Sequence, residues 1–335
     1  HGTYIDVRRL ESLIANKTTP SCPVECEVVE LDNVRVIVVR IPSGQPVTAT
    51  SGGNYRRRAI DVNGKPQCLP MLPHQVQSRS STLGAQDYSA LPVPGATWDD
   101  LDPLEFERLR RTVRHNAGRA DSSLLVLDNV ELVKALGLGE GNDLIEKVRV
   151  AGLLLLGRED ALRRLMSTHE AAFQVLRGTQ VLMNDFFRWP LIRISEEFMG
   201  RFDARNQEQE LMIGAIRTGV PDYSQPGFRE ALHNALVHRD YAQLGPVHVF
   251  WRDEEIEIAS TGGFPEGVTI DNLLVVPPKP RNPLLADAFK RIGLVERTGR
   301  GIDTIFEGQL RFGRPAPDYS RGSTDTVQVV LPGGR

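Results

Sequence analysis

The segment Phe228-Arg-Glu-Ala-Leu-His-Asn-Ala-Leu-Val-His-Arg-Asp-Tyr241 decides how the C-terminal third of the chain is read. Its apolar residues recur at helical spacing. Leu232, Ala235 and Leu236 turn towards a core, while Glu230, Asn234 and His238 follow one another at four-residue intervals on a second face. A carboxylate and an amide one turn apart are what a nucleotide-hydrolysing site needs. Glu230 can act as a general base towards water, and the side-chain oxygen of Asn234 can ligate Mg2+, a hard ion that prefers oxygen. The same pattern also fits a solvated helix face.

The residues that follow continue the pattern. Two β-rich runs, residues 247–251 and 255–259, flank Arg252-Asp253-Glu254, and the second leads into Ser260-Thr-Gly-Gly-Phe-Pro265. Gly262 and Gly263 permit close backbone approach to a ligand, or simply an ordinary turn. Arg281-Asn282-Pro283 predicts a helix start, with Leu284, Leu285, Ala288, Phe289 and Ile292 inward and Gly293 at the end. In Glu296-Arg-Thr-Gly-Arg-Gly-Ile302, the loop of Gly299, Arg300 and Gly301 leaves amides free at a helix N-terminus, where phosphate binds.

An acidic-amide helix, a strand ending in Gly-Gly, a Pro/Gly-containing stretch and Gly-x-Gly entering a helix occur in this order. The layout resembles the GHKL ATPases. The wording of Glu230-Ala-Leu-His-Asn-Ala-Leu-Val-His-Arg-Asp-Tyr241, Arg281-Asn-Pro-Leu-Leu-Ala286 and Gly293-Leu-Val-Glu-Arg-Thr-Gly-Arg-Gly-Ile302 is similar to the ATP-binding domain of RecG-related, predicted transcriptional regulators. The resemblance implies ATP and Mg2+ as ligands. It places Glu230 at the general-base position and Asn234 at the metal position. His238, Gly262, Gly263, Gly299, Arg300 and Gly301 then contact the nucleotide, and residues 264–280 form a lid. Other GHKL members carry an Asp before the first glycine box to hold the adenine amino group. Here the strand ends Ala259-Ser260-Thr261, and the nearest acids are Glu255 and Glu257. No Gly-x-x-x-x-Gly-Lys-Ser/Thr loop occurs, so nothing supports duplex unwinding.

Upstream, residues 28–31 and 34–41 are β-rich runs around an Asp32-Asn33 turn, and Asn54-Tyr55-Arg56-Arg57-Arg58 follows. This part resembles an incomplete Schlafen/AlbA-like DNA-binding domain. Tyr55 can stack on a base, and Arg56, Arg57 and Arg58 can contact phosphates of DNA or RNA; the alternative is a solvated strand edge. Residues 79–100 read as a linker. In the middle segment, Asp102-Pro103 starts a helix and residues 129–136 form another. The apolar run 148–156 reads as a buried strand, 173–176 and 189–194 as further strands, and 195–216 as one long helix.

The expected fold class is α+β. A partial AlbA/Schlafen-like α/β domain (1–78) is followed by a linker, a mixed segment (101–220) packing on the ATPase-like domain, and a C-terminal GHKL-like α/β sandwich (221–335). The chain has 335 residues, 40% of them hydrophobic and 25% charged, with net charge −3, so no global basic field advertises nucleic acid and any contact is local. Three cysteines, Cys22, Cys26 and Cys68, are too few for a disulfide framework and fit a reducing cytoplasm; their spacing is not a usual zinc pattern. No apolar run spans a bilayer. The resemblance implies an ATP-switched, nucleic-acid-associated regulator that forms a homodimer, and the composition adds a cytoplasmic location. The alternative is a degenerate GHKL fold serving as a scaffold or dimerisation module.

Overall fold

The computed structural model describes residues 6–31, 33–42, 45–213, 216–295 and 300–333. The chain divides into two compact units, His1–Gln86 and Asp87–Arg335.

The first unit contains helix α1 (Val7–Asn16), a short pair β1 (Thr18–Thr19) and β4 (Ala49–Thr50), hairpin β2 (Glu25–Leu31)/β3 (Val34–Arg40), hairpin β5 (Arg56–Ile60)/β6 (Pro66–Pro70) and helix α2 (Pro73–Thr82). The β2/β3 turn is where Asp32-Asn33 predicts it, and Asn33 takes a left-handed conformation with φ 63°. Val24 and Ala49 are the buried apolar residues here, among those described.

The second unit opens with helices α3 (Pro103–His115) and α4 (Asn129–Ala135), the bridge pair β7 (Gly139–Glu140)/β8 (Lys147–Val148), and helices α5 (Val150–Leu156) and α6 (Glu159–Leu165). Strands β9 (Ala171–Arg177) and β10 (Gln180–Phe187), helix α7 (Leu191–Asp203), hairpin β11 (Glu208–Ile213)/β12 (Ile216–Pro221) and helix α8 (Gln225–His238) follow. Strands β13 (Val247–Trp251) and β14 (Glu255–Thr261), helices α9 (Pro283–Ile292) and α10 (Gly301–Leu310) and strand β15 (Thr326–Pro332) complete it. The main sheet runs β10-β9-β13-β14-β15, with β9 and β13 parallel and the other neighbours antiparallel. The molecule is thus mixed α+β, as predicted. Among the described residues no helix is long and apolar enough to cross a membrane.

Strand alternation sets the inner face: Phe173 and Val175, Val247 and Val249, Ile256 and Ile258 are all buried. Helices α7 and α8 bring aromatic rings into the same core. Phe198 meets Phe173 edge-on at 5.3 Å, and Phe202 stacks on Phe228 at 4.3 Å. His233 ties three segments together, its Nε2 2.7 Å from Ser195 Oγ and its Nδ1 2.8 Å from the Leu294 carbonyl oxygen.

Several expectations are corrected. Residues 150–156 form a helix, not a strand. All seven are buried, so the run has no polar face to reveal a period, and Gly152 lets the helix close onto the Leu138 carbonyl. The strand expected at 189–194 is the start of α7. The helix expected over 195–216 stops at Asp203, because Asn206 accepts from Tyr223 N (2.8 Å) and donates to Tyr223 O (3.0 Å), which clamps the base of the β11/β12 hairpin. The stretch 79–100 is not a free linker. It begins inside α2, and from Asp87 it belongs to the second unit, with Val93 and Ala96 buried. The predicted boundary at 78 moves to 86 for the same reason.

Candidate functional site

Helix α8 starts at Ser224, whose Oγ accepts from Gly227 N (3.2 Å), and Pro226 fits its first turn. Leu232 and Leu236 face the core. The other face carries Glu230, Asn234 and His238 onto one cavity of about 230 Å³. Ala235, expected in the core, packs against it and also lines this cavity. Opposite α8 stand Ile258 and Ser260 of β14, and the stretch around Phe264, Val276 and Pro280 supplies an apolar wall where the lid was expected. Lys290 of α9, Gly301 and Asp303 of α10 and Tyr319 complete the lining.

The cavity has two chemically different ends. At one, Glu230 is buried against the first residue of α10. A methyl group on Gly301 would collide with the Glu230 carboxylate, so the sequence needs glycine there to let a charged group meet a helix N-terminus. Burial, and then the negative charge of Glu230, drive the Tyr319 hydroxyl pKa upward. At the other end, α8 is tied to the end of β14, since Asp240 N donates to the Thr261 carbonyl at 2.8 Å. His238 and Ser260 lie at this end. The ring of His238 stays neutral because burial, and then the charge of Arg281, hold its pKa down to about 4.

The residues beneath this end form a buried polar frame. Arg239, 1% exposed, donates to the carbonyl oxygens of Gly245 (2.6 Å), Gln243 (3.0 Å) and Thr168. Asn282 donates to the Val237 and Arg239 carbonyls at 2.7 and 2.9 Å, closing the end of α8. Asn282 therefore does not cap its own helix. The N-terminus of α9 is capped from far away, Leu284 N donating to Asp87 and Leu285 N to Ser89. Asp240 accepts from Ala242 N and Gln243 and pairs with Arg281 at 3.7 Å, and Arg281 donates to the Gly263 carbonyl at 2.7 Å.

The predicted site residues divide as follows. Glu230, Asn234, His238, Gly263 and Gly301 meet at the cavity. Gly262 does not line it. Its φ of 97° and the 2.8 Å that would separate an added methyl from Asp240 Cβ give the glycine pair a packing reason, and Gly263 is likewise closed in by the Thr324 backbone. Arg300 is not brought in; it is exposed and pairs with Asp303 (3.5 Å) and Glu307 (3.8 Å). Gly299 lies outside the described residues. Glu255 and Glu257 do not reach the cavity, because alternation turns them to the other face of β14, towards Arg321 and Arg252. Ser260, 3% exposed, stands on the cavity side. Lys290 and Tyr319 were not singled out by sequence reasoning; nothing in their spacing marks them. Tyr55 and Arg56–Arg58 belong to the first unit, where Arg56, Arg57 and Arg58 are exposed on β5.

His169, His233 and His248 share the behaviour of His238, each held down to about 4 chiefly by burial. The unfolded chain takes up these protons near pH 6.5 and the folded chain does not. Stability is therefore full above about 6.5 and falls as pH drops towards 4. Thermal melts are expected to show a lower midpoint at pH 5.0 than at 7.5; an equal or higher one contradicts this.

Comparison with known proteins adds to this geometry. Residues 245–331 match the family described as "Putative ATP-dependent DNA helicase recG C-terminal". The C-terminal region is RecG-like and ATPase-like. The match takes in β13, β14, the glycine pair, the apolar wall, α9, α10 and β15, and it begins after α8. Residues 76–171 match a domain of unknown function, DUF8451. No curated protein matches the chain. Among solved structures, the DIP2311 protein from Corynebacterium diphtheriae is similar in fold, with TM-score 0.62 and 22% identity. The alignment covers 100% of this chain and 64% of that one, so the chain spans less than two thirds of that protein.

Proposed function

We propose that the cavity binds a magnesium-bound nucleotide, ATP in the first instance, and that the protein is a nucleic-acid-associated regulator of GHKL type switched by this binding. One observation carries the reading. The side chains of Asn234, His238 and Ser260 border an otherwise largely apolar cavity, and none of the three side chains hydrogen-bonds to the protein among the described residues. A few polar groups converging on an apolar wall, open to the cavity and not tied to the protein, are what fixes the orientation of a small-molecule ligand. Lys279 and Lys290 also line the cavity and suit an anionic group, as does the N-terminus of α10, which Glu230 already approaches. No group of three or more His, Cys, Asp or Glu that could hold a metal occurs among the described residues. Mg2+ would then be held by nucleotide oxygens, water and the Asn234 oxygen, in keeping with its reluctance to dehydrate. Such an ion would supply charge neutralisation at the phosphates. Glu230 would act as base towards water in any turnover, and residues 264–280 would settle over the ligand.

Titration of the whole chain with Mg-ATP is expected to give saturable one-to-one binding that weakens when EDTA removes the metal. No binding would leave the scaffold reading. That reading has its own support, since Gly262, Gly263 and Gly301 all have packing reasons that need no ligand. A homodimer is expected by the same resemblance and is checked by sedimentation with and without Mg-ATP.

For nucleic acid, we infer a contact at β5. Arg56 and Arg58 share one strand face, and no carboxylate pairs with Arg56, Arg57 or Arg58 among the described residues. Replacing all three by alanine is expected to weaken binding of a labelled DNA and to flatten its log–log salt dependence by roughly 2–3 units. An unchanged slope would remove these arginines from the interface.

A further inference from the structure

At the end of the cavity formed by His238 and Ser260, neither of these two side chains has fixed hydrogen-bonding polarity. A serine hydroxyl donates or accepts as required, and a neutral imidazole carries one donor and one acceptor, exchangeable between its nitrogens. No protein partner fixes either side chain among the described residues. Every nearby carboxylate is otherwise engaged. Asp240 is bound by Ala242 N, Gln243 and Arg281, while Glu255 and Glu257 face away with Arg321 and Arg252. Glu230, the carboxylate of the cavity, stands two helical turns away, about 12 Å along α8, at the α10 end. A nucleotide with its phosphates at α10 therefore puts its base against Ser260 and His238.

Adenine and guanine differ at one edge by exchange of donor and acceptor. A carboxylate there accepts only, and would favour the adenine amino group with a charge-assisted bond while opposing the guanine oxygen. A hydroxyl and a neutral imidazole can answer either base. We infer that this site accepts adenine and guanine nucleotides alike, with Ser260 as the residue that sets the lack of preference. The inference rests on the nucleotide reading above.

The test is competition binding to the whole chain with Mg-ATP and Mg-GTP. Wild-type dissociation constants are expected within about threefold of each other, well under one hydrogen bond of discrimination. Ser260→Asp is expected to shift the preference towards ATP by about tenfold or more. Ser260→Ala, which keeps the packing if the aspartate variant fails to fold, is expected to weaken both nucleotides equally. A tenfold wild-type preference for either base overturns the inference while leaving the nucleotide site standing. A folded Ser260→Asp without changed preference, or unequal losses in Ser260→Ala, overturns the role of Ser260. Absence of binding by either nucleotide overturns the site itself.

Discussion

Asn234→Ala is expected to weaken Mg-ATP binding by roughly 30-fold, equivalent to about 2 kcal/mol for one hydrogen-bonded or metal-ligating contact to a charged ligand. The amide stands one turn from Glu230, on the cavity wall, and makes no hydrogen bond to the protein among the described residues. Its removal therefore breaks nothing in the unliganded fold. The thermal midpoint without nucleotide is expected to stay at the wild-type value, while the stabilisation produced by a given concentration of Mg-ATP shrinks by up to about 2 kcal/mol. Asn234→Asp, which keeps an oxygen at the same position, is expected to retain metal-dependent binding better than the alanine variant. Wild-type affinity in Asn234→Ala would take this residue out of the site.

Arg239→Ala is expected to have the opposite signature: a large loss of stability that nucleotide does not explain. The guanidinium is buried and holds the carbonyl oxygens of Gly245, Gln243 and Thr168, which belong to the stretch between α8 and β13 and to the segment before β9. It also lies over the Tyr241 ring, 4.8 Å from its centre. Alanine leaves these carbonyls without their donor and opens a cavity, at a combined cost of about 3 kcal/mol. For a unit of this size that lowers the melting midpoint by roughly 6–12 °C. A melt within about 2 °C of wild type would mean that water replaces the guanidinium at little cost.

These two residues also show what could be read in advance. The α8 face was legible because 3.6-residue periodicity separates Leu232 and Leu236 from Glu230, Asn234 and His238. The turns and caps at Asn33, Asp102 and Gly293 were legible because local backbone chemistry decides them. Arg239 was visible as a residue in the motif but not as a buried brace, since its partners lie up to 71 positions away. Asn282 stands at the N-cap position of α9 as expected, but the capping side chains, Asp87 and Ser89, lie 197 and 196 positions away and carry no local signal. The run 150–156 was misread because a segment buried on all sides carries no period, and the region after Asp203 because one side chain, Asn206, redirects it. At the candidate site, the sequence showed that an acid was missing before the glycine pair. Only alternation along β14 in three dimensions shows that Ser260 faces the cavity and that Glu257 does not.

The central claim is that the space between α8, β14 and α10 is a nucleotide site covered by residues 264–280. The measurement that tests it most directly is hydrogen exchange along the chain with and without Mg-ATP. Slowed exchange is expected in residues 264–280 and in the first turn of α10, and Asn234→Ala is expected to need roughly 30-fold more Mg-ATP for the same protection. Unchanged exchange in both segments at saturating Mg-ATP, or protection confined to other parts of the chain, would contradict it.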